Sequence, residues 1–346
     1  MGNTKKQRHK RISIFVSHLG CPHDCAYCNQ EKITGYEKSQ FRTLEDIQVE
    51  LERQLSSIQC EQNHVEIAFF GGSFTGLPLS YQRALLELAS AYVEQYKLRG
   101  IRFSTRPDYV TGKTIDFLQA YPVTAIELGV QSLDPLVLHL SKRGHTIEDV
   151  VQAVKSIRQS NIQLGIQLMT GLPGDTLERS LTTVKAVIAL KPDFVRLYPT
   201  LVLEGTELAE WYRQGVYQPW TLEQTIEGIA EMLPMFLQAN IPIIRLGLQQ
   251  TEDLQKDSAV LAGPHHPNIR QLIETRYFYH LLDRLCEQLG EQITGKCCTI
   301  RINPVDETAV RGQKNSNLRL LADKYNCQLQ INKDWQQPEK SIHYIK

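Results

Sequence analysis

The sequence has no excess of charge of either sign and no long apolar run. Its 38 basic and 38 acidic side chains cancel, and its isoelectric point is near 7.1. A neutral chain gives no general argument for a polyanion-binding surface, so any nucleic-acid contact must be local. No stretch approaches the roughly 20 apolar residues that a membrane span needs. These absences predict a soluble protein with no membrane segment.

The cysteines are too few and too unevenly spaced for a disulfide framework. Eight occur in 346 residues, and three of them crowd between Cys21 and Cys28. Disulfide-rich domains are typical of secreted proteins, whereas clustered cysteines in a reducing compartment indicate metal. The apolar segment before Cys21 is interrupted by Ser13, Ser17 and His18, so it makes a poor secretion signal. We therefore expect a cytoplasmic location.

The chain is long enough for one large catalytic domain with a smaller appendage. Its first eleven residues hold five basic side chains and no acidic one. We expect residues 1–11 to form a solvated basic arm. We assign residues 12–248 to a core barrel and residues 249–346 to a C-terminal extension.

From residue 12 to about 200, short β-branched or aromatic runs alternate with longer amphipathic segments. This alternation is typical of βα units around a parallel sheet. Six units predict a partial barrel rather than the complete eight, with the active site at the carboxyl ends of the strands. The expected strands are 12–17, 64–70, 101–105, 125–130, 162–169, 194–199, 243–248, 297–303 and 327–332. The expected helices are 43–58, 79–97, 111–120, 134–160 with a break at Gly144, 176–190, 205–213, 221–239, 269–289 and 316–325.

Cys21, Cys25 and Cys28 form the spacing C-x3-C-x2-C in one loop after the first predicted strand. Thiolates bind iron–sulfur clusters, zinc and copper(I). A fully ligated cubane normally takes four cysteines, so three leave one iron open to the amino and carboxylate groups of S-adenosylmethionine. For this spacing alone, a structural zinc site with His18 or His23 as fourth ligand has about equal weight. A redox dithiol is a weaker alternative.

This cysteine loop, followed by Gly71-Gly72-Ser73-Phe74 after the second strand, resembles the radical S-adenosylmethionine superfamily. The resemblance runs from about residue 12 to residue 290. Five further segments resemble the catalytic subunit of the Elongator complex: TRPDY at 105–109, ELGVQS at 127–132, RGHT at 143–146, GLPGDT at 171–176 and YPTLVLEGTEL at 198–208.

The resemblance implies an α/β fold, a partial (β/α)6 radical-SAM barrel with a small C-terminal α+β extension. It also implies that the three cysteines hold a 4Fe-4S cluster and that the protein binds S-adenosylmethionine. The side chain of Tyr27 would pack near the adenine, and the Gly71-Gly72 turn would bring backbone carbonyls close to the cofactor's amino group. The other implied cofactor contacts, at that turn or near strand ends, are Ser73, Thr105, Glu127, Gln131, Ser132 and Gln167.

Two departures from this resemblance limit what it implies. The Elongator subunit carries an acetyltransferase-like domain, and we expect this chain to leave no room for one. The activity of the Elongator subunit at the wobble uridine of tRNA is therefore not carried over directly to this chain. The sequence also has no second set of three clustered cysteines for an auxiliary cluster.

A short basic segment lies in the C-terminal extension, where Arg311, Gly312 and Lys314 precede a predicted helix. A glycine with basic neighbours before a helix suits a phosphate, as in the GXXG loop of KH modules. The second glycine of that loop is missing. A degenerate KH-like nucleic-acid platform is therefore a minority hypothesis beside a small capping subdomain.

Together these features favour an enzyme that reductively cleaves S-adenosylmethionine and uses the radical on a tRNA nucleoside or related substrate. Such a reaction needs an electron donor such as flavodoxin or ferredoxin. One rival hypothesis is a radical enzyme acting on a small metabolite, which the neutral charge favours. Another is a zinc-stapled RNA-binding protein without enzymatic activity.

Overall fold

A computed structural model describes residues 8–16, 21, 25–29, 42–58, 63–248 and 259–345. The chain divides into two compact units. The first comprises Met1–Trp220 and Phe236–His265, and the second comprises Thr221–Met235 and His266–Lys346. Our boundary between residues 248 and 249 stays a prediction.

Seven parallel strands form the sheet of the first unit, in the order in which they occur along the chain. They are β1 (Arg8–Phe15), β2 (Asn63–Phe70), β3 (Gly100–Thr105), β4 (Val123–Gln131), β5 (Gln163–Thr170), β6 (Phe194–Pro199) and β8 (Ile243–Leu246). Among the described residues β1 and β8 do not pair, so the barrel is open between them. Residues 8–11, which we assigned to a basic arm, belong to β1; residues 1–7 of that arm lie outside the described residues.

Helices connect the successive strands, as the alternating pattern predicts. They are α1 (Leu44–Ser56), α2 (Leu79–Gln95), α3 (Gly112–Leu118), α4 (Pro135–Leu140), α5 (Ile147–Ile157), α6 (Leu177–Ala189), α7 (Glu207–Arg213) and α8 (Leu222–Gln238). The start of α5 is set by Thr146, whose hydroxyl accepts from the backbone N–H of Asp149 while the Asp149 carboxylate accepts from Thr146. The predicted break at Gly144 is present, with φ +77° at that residue.

The sheet curls so that strands far apart in its order touch on one concave face. The guanidinium of Arg196 on β6 lies 5.2 Å from the ring centre of Phe70 on β2. The guanidinium of Arg102 on β3 lies 5.2 Å from the ring centre of Phe194 on β6. Contacts between strands that are not neighbours require a barrel-like curvature. The predicted partial barrel with an α/β architecture is confirmed.

The second unit carries a three-stranded sheet covered by helices. Its central strand pairs in parallel with one neighbour and antiparallel with the other. Its elements are α9 (Ile269–Leu289), β10 (Cys297–Ile302), α10 (Glu307–Arg311), α11 (Ser316–Tyr325), β11 (Gln328–Lys333) and β12 (Ile342–Ile345). The buried carboxylate of Asp306 accepts from both the ammonium and the backbone N–H of Lys340, which ties the segment before β12 to the start of α10.

The sequence pattern missed the shortest elements. A two-strand antiparallel pair, β7 (Val202–Leu203) with β9 (Val260–Ala262), was not predicted. Neither were α10 and β12, because runs of four or five residues carry too little periodicity to distinguish helix from strand. None of the helices in the described part of the chain is both long and apolar enough to cross a membrane.

Candidate cofactor site

The described part of the cysteine loop is held by backbone hydrogen bonds to two other segments. The N–H of Ala26 donates to the carbonyl of Ser141 after α4, at 3.1 Å. The carbonyl of Ala26 accepts from the N–H of Leu208 in α7, at 2.8 Å. Beside them, the Tyr27 ring packs against the apolar cluster that contains Val202 and Leu208. Residues 22–24, including His23, lie outside the described residues, as does His18.

The guanidinium of Arg143 lies among the cysteine thiols. Its Nη1 donates to the Cys25 Sγ at 3.3 Å, and its Nη2 donates to the carbonyl of Gly129. Burial by itself would lower the pKa of Arg143, but the neighbouring Tyr27 and Cys25 raise it, so the guanidinium stays charged. Burial raises the pKa of Tyr27 well above its usual value, and its hydroxyl hydrogen-bonds to Cys25. A fixed positive charge therefore lies in contact with the Cys25 sulfur.

Cys21 lies next to the glycine turn after β2. Burial raises the pKa of its thiol, while the nearby charge of Arg143 and the backbone N–H of Ser73 act in the opposite direction. Gly71 has φ +92°, a conformation that residues with a Cβ rarely adopt. The turn thus brings backbone polar groups beside the first cysteine. The roles of Gly71 and Gly72 as cofactor contacts stay predictions.

Ser73 and Thr105 are buried and hydrogen-bonded to one another. Their hydroxyl oxygens are 2.8 Å apart, and the N–H of Arg106 donates to Ser73 Oγ at 3.1 Å. The Thr105 hydroxyl also meets that of Thr75. These bonds tie the glycine turn to the carboxyl end of β3. Both side chains therefore position the turn, and their predicted cofactor contacts remain untested.

Glu127 does not lie at a strand end. It occupies the middle of β4 and has no exposed surface. Its carboxylate lies 3.0 Å from Arg102 Nη1 and 2.7 Å from Arg196 Nε, and it accepts from Gln167 Nε2 at 3.0 Å. Gln167 also donates to Ser104. The placement of Glu127 and Gln167 at the rim is therefore corrected, because both lie in the middle layer of the concave face.

Gln131 and Ser132 do lie at the carboxyl end of β4. Gln131 has φ +67° at a β-bulge, a conformation that costs about 1–3 kcal/mol for a residue with a Cβ. Its Oε1 is buried and has no hydrogen-bond partner among the described residues. Ser132 is used locally, since its hydroxyl accepts from the N–H of Asp134 at the start of α4. Of these two, only Gln131 has an atom free for a ligand.

The structure adds polar residues that sequence reasoning did not select as sites. Both ring nitrogens of buried His145 lack a hydrogen bond of normal geometry to the described residues, and so do the hydroxyls of Thr170 and Thr200. Burial, followed by the charges of Arg143 and Arg106, lowers the pKa of His145 to about 3, so the ring is neutral at pH 7. The RGHT segment was the only signal for His145. Buried polar atoms without partners indicate a missing ligand or water.

The chemistry of the donor set fits an iron–sulfur cluster. Cys21, Cys25 and Cys28 supply three sulfur ligands, which suit the iron of a cluster and also suit zinc. The described residues contain no group of three or more His, Cys, Asp or Glu side chains placed to bind one metal ion. His18 and His23, the fourth ligands of the zinc hypothesis, lie outside the described residues.

Comparison with protein-family models decides the family. A model described as the Radical SAM superfamily matches residues 15–187, which include all three clustered cysteines, and one described as the Radical_SAM C-terminal domain matches residues 192–278. The chain belongs to the radical SAM superfamily. Members of this family are enzymes, and the family implies S-adenosylmethionine and a 4Fe-4S cluster as cofactors. The predicted resemblance is confirmed.

This radical SAM protein is similar to a tRNA uridine(34) acetyltransferase and to Elongator complex protein 3. It is 30% identical over 257 residues to the tRNA uridine(34) acetyltransferase of Methanocaldococcus jannaschii, covering 63% of this chain and 47% of that one. It is 27% identical over 308 residues to Elongator complex protein 3 of Homo sapiens, covering 77% and 55%. The chain thus spans about half the length of these curated relatives.

A solved structure shows the same fold. The archaeal Elp3 of Methanocaldococcus infernus, with its N-terminus deleted, aligns with a TM-score of 0.59 at 23% sequence identity. The alignment covers 78% of this radical SAM protein and 62% of that chain.

The predicted nucleic-acid residues lie between two helices of the second unit. Arg311 ends α10 and pairs with Glu307 at 2.9 Å, Gly312 has φ +67°, and exposed Lys314 has φ +51°. Their contact with nucleic acid stays a prediction.

Proposed function

We propose that this radical SAM protein reductively cleaves S-adenosylmethionine at a 4Fe-4S cluster held by Cys21, Cys25 and Cys28. The main observation in support is the contact of Arg143 with Cys25, inside the segment that matches the family model. Cys21, Cys25 and Cys28 would hold the cluster, which would supply the electron that cleaves S-adenosylmethionine.

The protein's own residues would prepare this site in three ways. Arg143 donates to the Cys25 sulfur and keeps its charge, because Tyr27 and Cys25 lie beside it. The hydrogen bonds of Ala26 fix the loop against two segments of the barrel. Gly71 has φ +92° and no Cβ, so its backbone would allow a ligand's polar group to approach the turn beside Cys21.

The partnerless polar atoms at the carboxyl ends of the strands would bind the rest of the cofactor. Gln131, Thr170 and Thr200 contribute an amide oxygen and two hydroxyls from three consecutive strands or the loops after them. His145 is neutral, and neither of its ring nitrogens has a hydrogen bond of normal geometry within the described residues. These groups suit a ribose, an adenine edge or a carboxylate, which all need directed hydrogen bonds.

We further propose a tRNA nucleoside as the substrate, an electron donor of the flavodoxin or ferredoxin kind, and a cytoplasmic location. The support for tRNA is the similarity to the tRNA uridine(34) acetyltransferase of Methanocaldococcus jannaschii, of which this chain covers 47%. A radical reaction on a small metabolite is the alternative. A reductive cleavage needs a one-electron donor in either case.

The test is anaerobic purification, determination of iron and sulfide per chain, and an assay for 5'-deoxyadenosine under strong reductant. About four irons per chain are expected, with deoxyadenosine formed and then lost in Cys25→Ala. Cys297→Ala is the matched control, because this exposed thiol lies in the second unit. Zinc in place of iron, or cleavage that survives in Cys25→Ala, would contradict the proposal.

A second candidate function, binding of single-stranded nucleic acid by the second unit, is supported by Asn315. This residue stands where a GXXG loop has its second glycine, and its φ of 60° and ψ of 31° are left-handed. Asparagine is one of the few residues that tolerate this conformation. The order β10–α10–α11–β11, with β10 parallel to β11, places the loop between two helices as in KH modules.

Substitution of exposed Lys314 tests this second function. Lys314→Glu should weaken binding of a fluorescent single-stranded RNA at least about tenfold, since a phosphate contact is replaced by repulsion. Lys155→Glu makes the same charge change on an exposed position of α5 in the first unit. Equal affinity of the two variants would sink the hypothesis.

A further inference from the structure

The concave face of the sheet carries more buried positive charge than negative. Three guanidinium groups, those of Arg11, Arg102 and Arg196, face two carboxylates, those of Glu66 and Glu127. Arg99 at the margin adds another cation 3.9 Å from Glu66. These residues lie on five strands, β1 to β4 and β6, or next to them. Within the described residues, the face therefore holds at least one positive charge that its carboxylates do not balance.

Both carboxylates are already engaged. Arg102 lies 2.8 Å from Glu66 and 3.0 Å from Glu127, and Arg196 lies 2.7 Å from Glu127. Neither acid has any exposed surface. Each carboxylate therefore has a guanidinium partner within the protein.

Arg11 has no such partner. The described residues give its guanidinium no hydrogen bond or ion pair, and its Nε is buried without a partner. Burial lowers the pKa of Arg11, and so does repulsion from Arg102 and Arg196. Glu127 and Glu66 act on Arg11 in the opposite direction, but both are already paired with other guanidinium groups. The guanidinium of Arg11 is therefore available to an added anion.

The face is open to a ligand on the side of Arg11. Arg11, Gln167 and Tyr198 are half-buried, in contrast to the fully buried acids. The Tyr198 hydroxyl accepts from Arg196 Nη1 at 3.3 Å and leaves its own proton free to donate. Arg11 lies on β1, an edge strand beside the gap in the barrel. Two guanidinium forks and a phenol would match the oxygen atoms of a carboxylate or phosphate.

We propose that the concave face binds an oxyanionic group of the substrate, a carboxylate or a phosphate, through Arg11 with help from Arg196. The identification of the occupant as substrate rests on the proposed function. The anion site itself rests only on the charges and contacts of the face.

The test compares thermal unfolding of the anaerobically purified holoprotein in sodium chloride, acetate and inorganic phosphate at equal ionic strength. The anion increment is the Tm in acetate or phosphate minus the Tm in chloride. This increment should be about 2–4 °C larger in the wild type than in Arg11→Gln. The variant corrects for the general stabilisation that such salts give to any protein. A larger increment with acetate would identify a carboxylate, and a larger one with phosphate a phosphoryl group.

Arg99→Gln is the matched control, because it removes the same charge from a side chain that is one-third exposed and paired. It should keep the wild-type increment, and Arg11→Lys should keep only part of it because lysine lacks the guanidinium fork. An equal anion increment in wild type and Arg11→Gln would overturn the proposal. If Arg11→Gln does not fold, an anion increment in Arg11→Lys as large as that of the wild type would overturn the proposal. The measurement needs no turnover, so failure to cleave S-adenosylmethionine would leave its outcome unaffected.

Discussion

The buried carboxylates in the middle layer of the sheet differ from the buried polar groups at its carboxyl ends. In the middle layer, Glu66 and Glu127 each have an arginine partner within the protein. At the carboxyl ends, the side chains of Gln131, His145 and Thr170 hold buried atoms that have no partner among the described residues. Because an unsatisfied buried polar group costs about 1–3 kcal/mol, the second pattern is stable only with a ligand or water in place. Paired groups hold the sheet together, and unpaired ones mark the place for a ligand.

The largest effect is expected from Glu127→Gln, which breaks the paired layer. The substitution leaves Arg102 and Arg196 without their shared carboxylate, so the free energy of unfolding should fall by about 3–5 kcal/mol. Urea unfolding of the wild type and of Glu127→Gln measures this difference in the free energy of unfolding. A loss below about 1 kcal/mol, together with weakened binding of S-adenosylmethionine, would show instead that Glu127 is a cofactor ligand.

His145→Phe tests the polar groups at the carboxyl ends of the strands. Here the expected effect is on cofactor binding rather than on stability. Because the ring nitrogens of His145 make no hydrogen bond of normal geometry to the described residues and only contact the backbone of Val130, replacement by an apolar ring should change the free energy of unfolding by less than about 1.5 kcal/mol. The dissociation constant for S-adenosylmethionine should rise about tenfold, the value of one lost hydrogen bond. Calorimetric titration gives the affinity, and urea unfolding gives the stability. The same affinity in both proteins would remove His145 from the cofactor site.

A pH dependence should distinguish Asp175, in the loop after β5, from the paired acids. Burial raises the pKa of Asp175 to about 6, although Ser180 and the N–H of Gly171 act against that rise. The folded protein therefore holds this proton more tightly than the unfolded chain, and stability is lost as the pH rises through 6. Between pH 5 and 7 the wild type should lose about 1 kcal/mol more than Asp175→Asn. Parallel pH profiles of unfolding would refute the assignment.

The smallest effect is expected at an exposed ion pair. Lys142 and Glu207 lie 2.5 Å apart, but their side chains are 52% and 39% exposed, so water and salt screen their attraction. Glu207→Gln should change the free energy of unfolding by less than about 1 kcal/mol. This variant also serves as the control for Glu127→Gln, since both replace a carboxylate by an amide. If Glu207→Gln lowered the free energy of unfolding as much as Glu127→Gln does, burial would not be what makes a carboxylate important for stability.

Much of the fold follows from local pattern. Strands such as Phe194–Pro199 and helices such as Leu79–Gln95 were placed correctly to within two residues, because their apolar residues recur with a strong period. The short pair β7 and β9 was missed, since two or three residues carry no period. Glu127 was misplaced for a different reason, because its depth along the barrel depends on strand register.

The sequence by itself determined the family and the kind of chemistry. The spacing of Cys21, Cys25 and Cys28 is local, and thiolate chemistry limits what such a loop can hold. Only the tertiary structure decided which distant side chains surround that loop and which carboxylates are already paired. Arg143 reaches Cys25 across 118 positions of the chain, and Arg196 reaches Glu127 across 69. Such contacts depend on how the sheet curls and on the register of its strands, which no short stretch of sequence specifies.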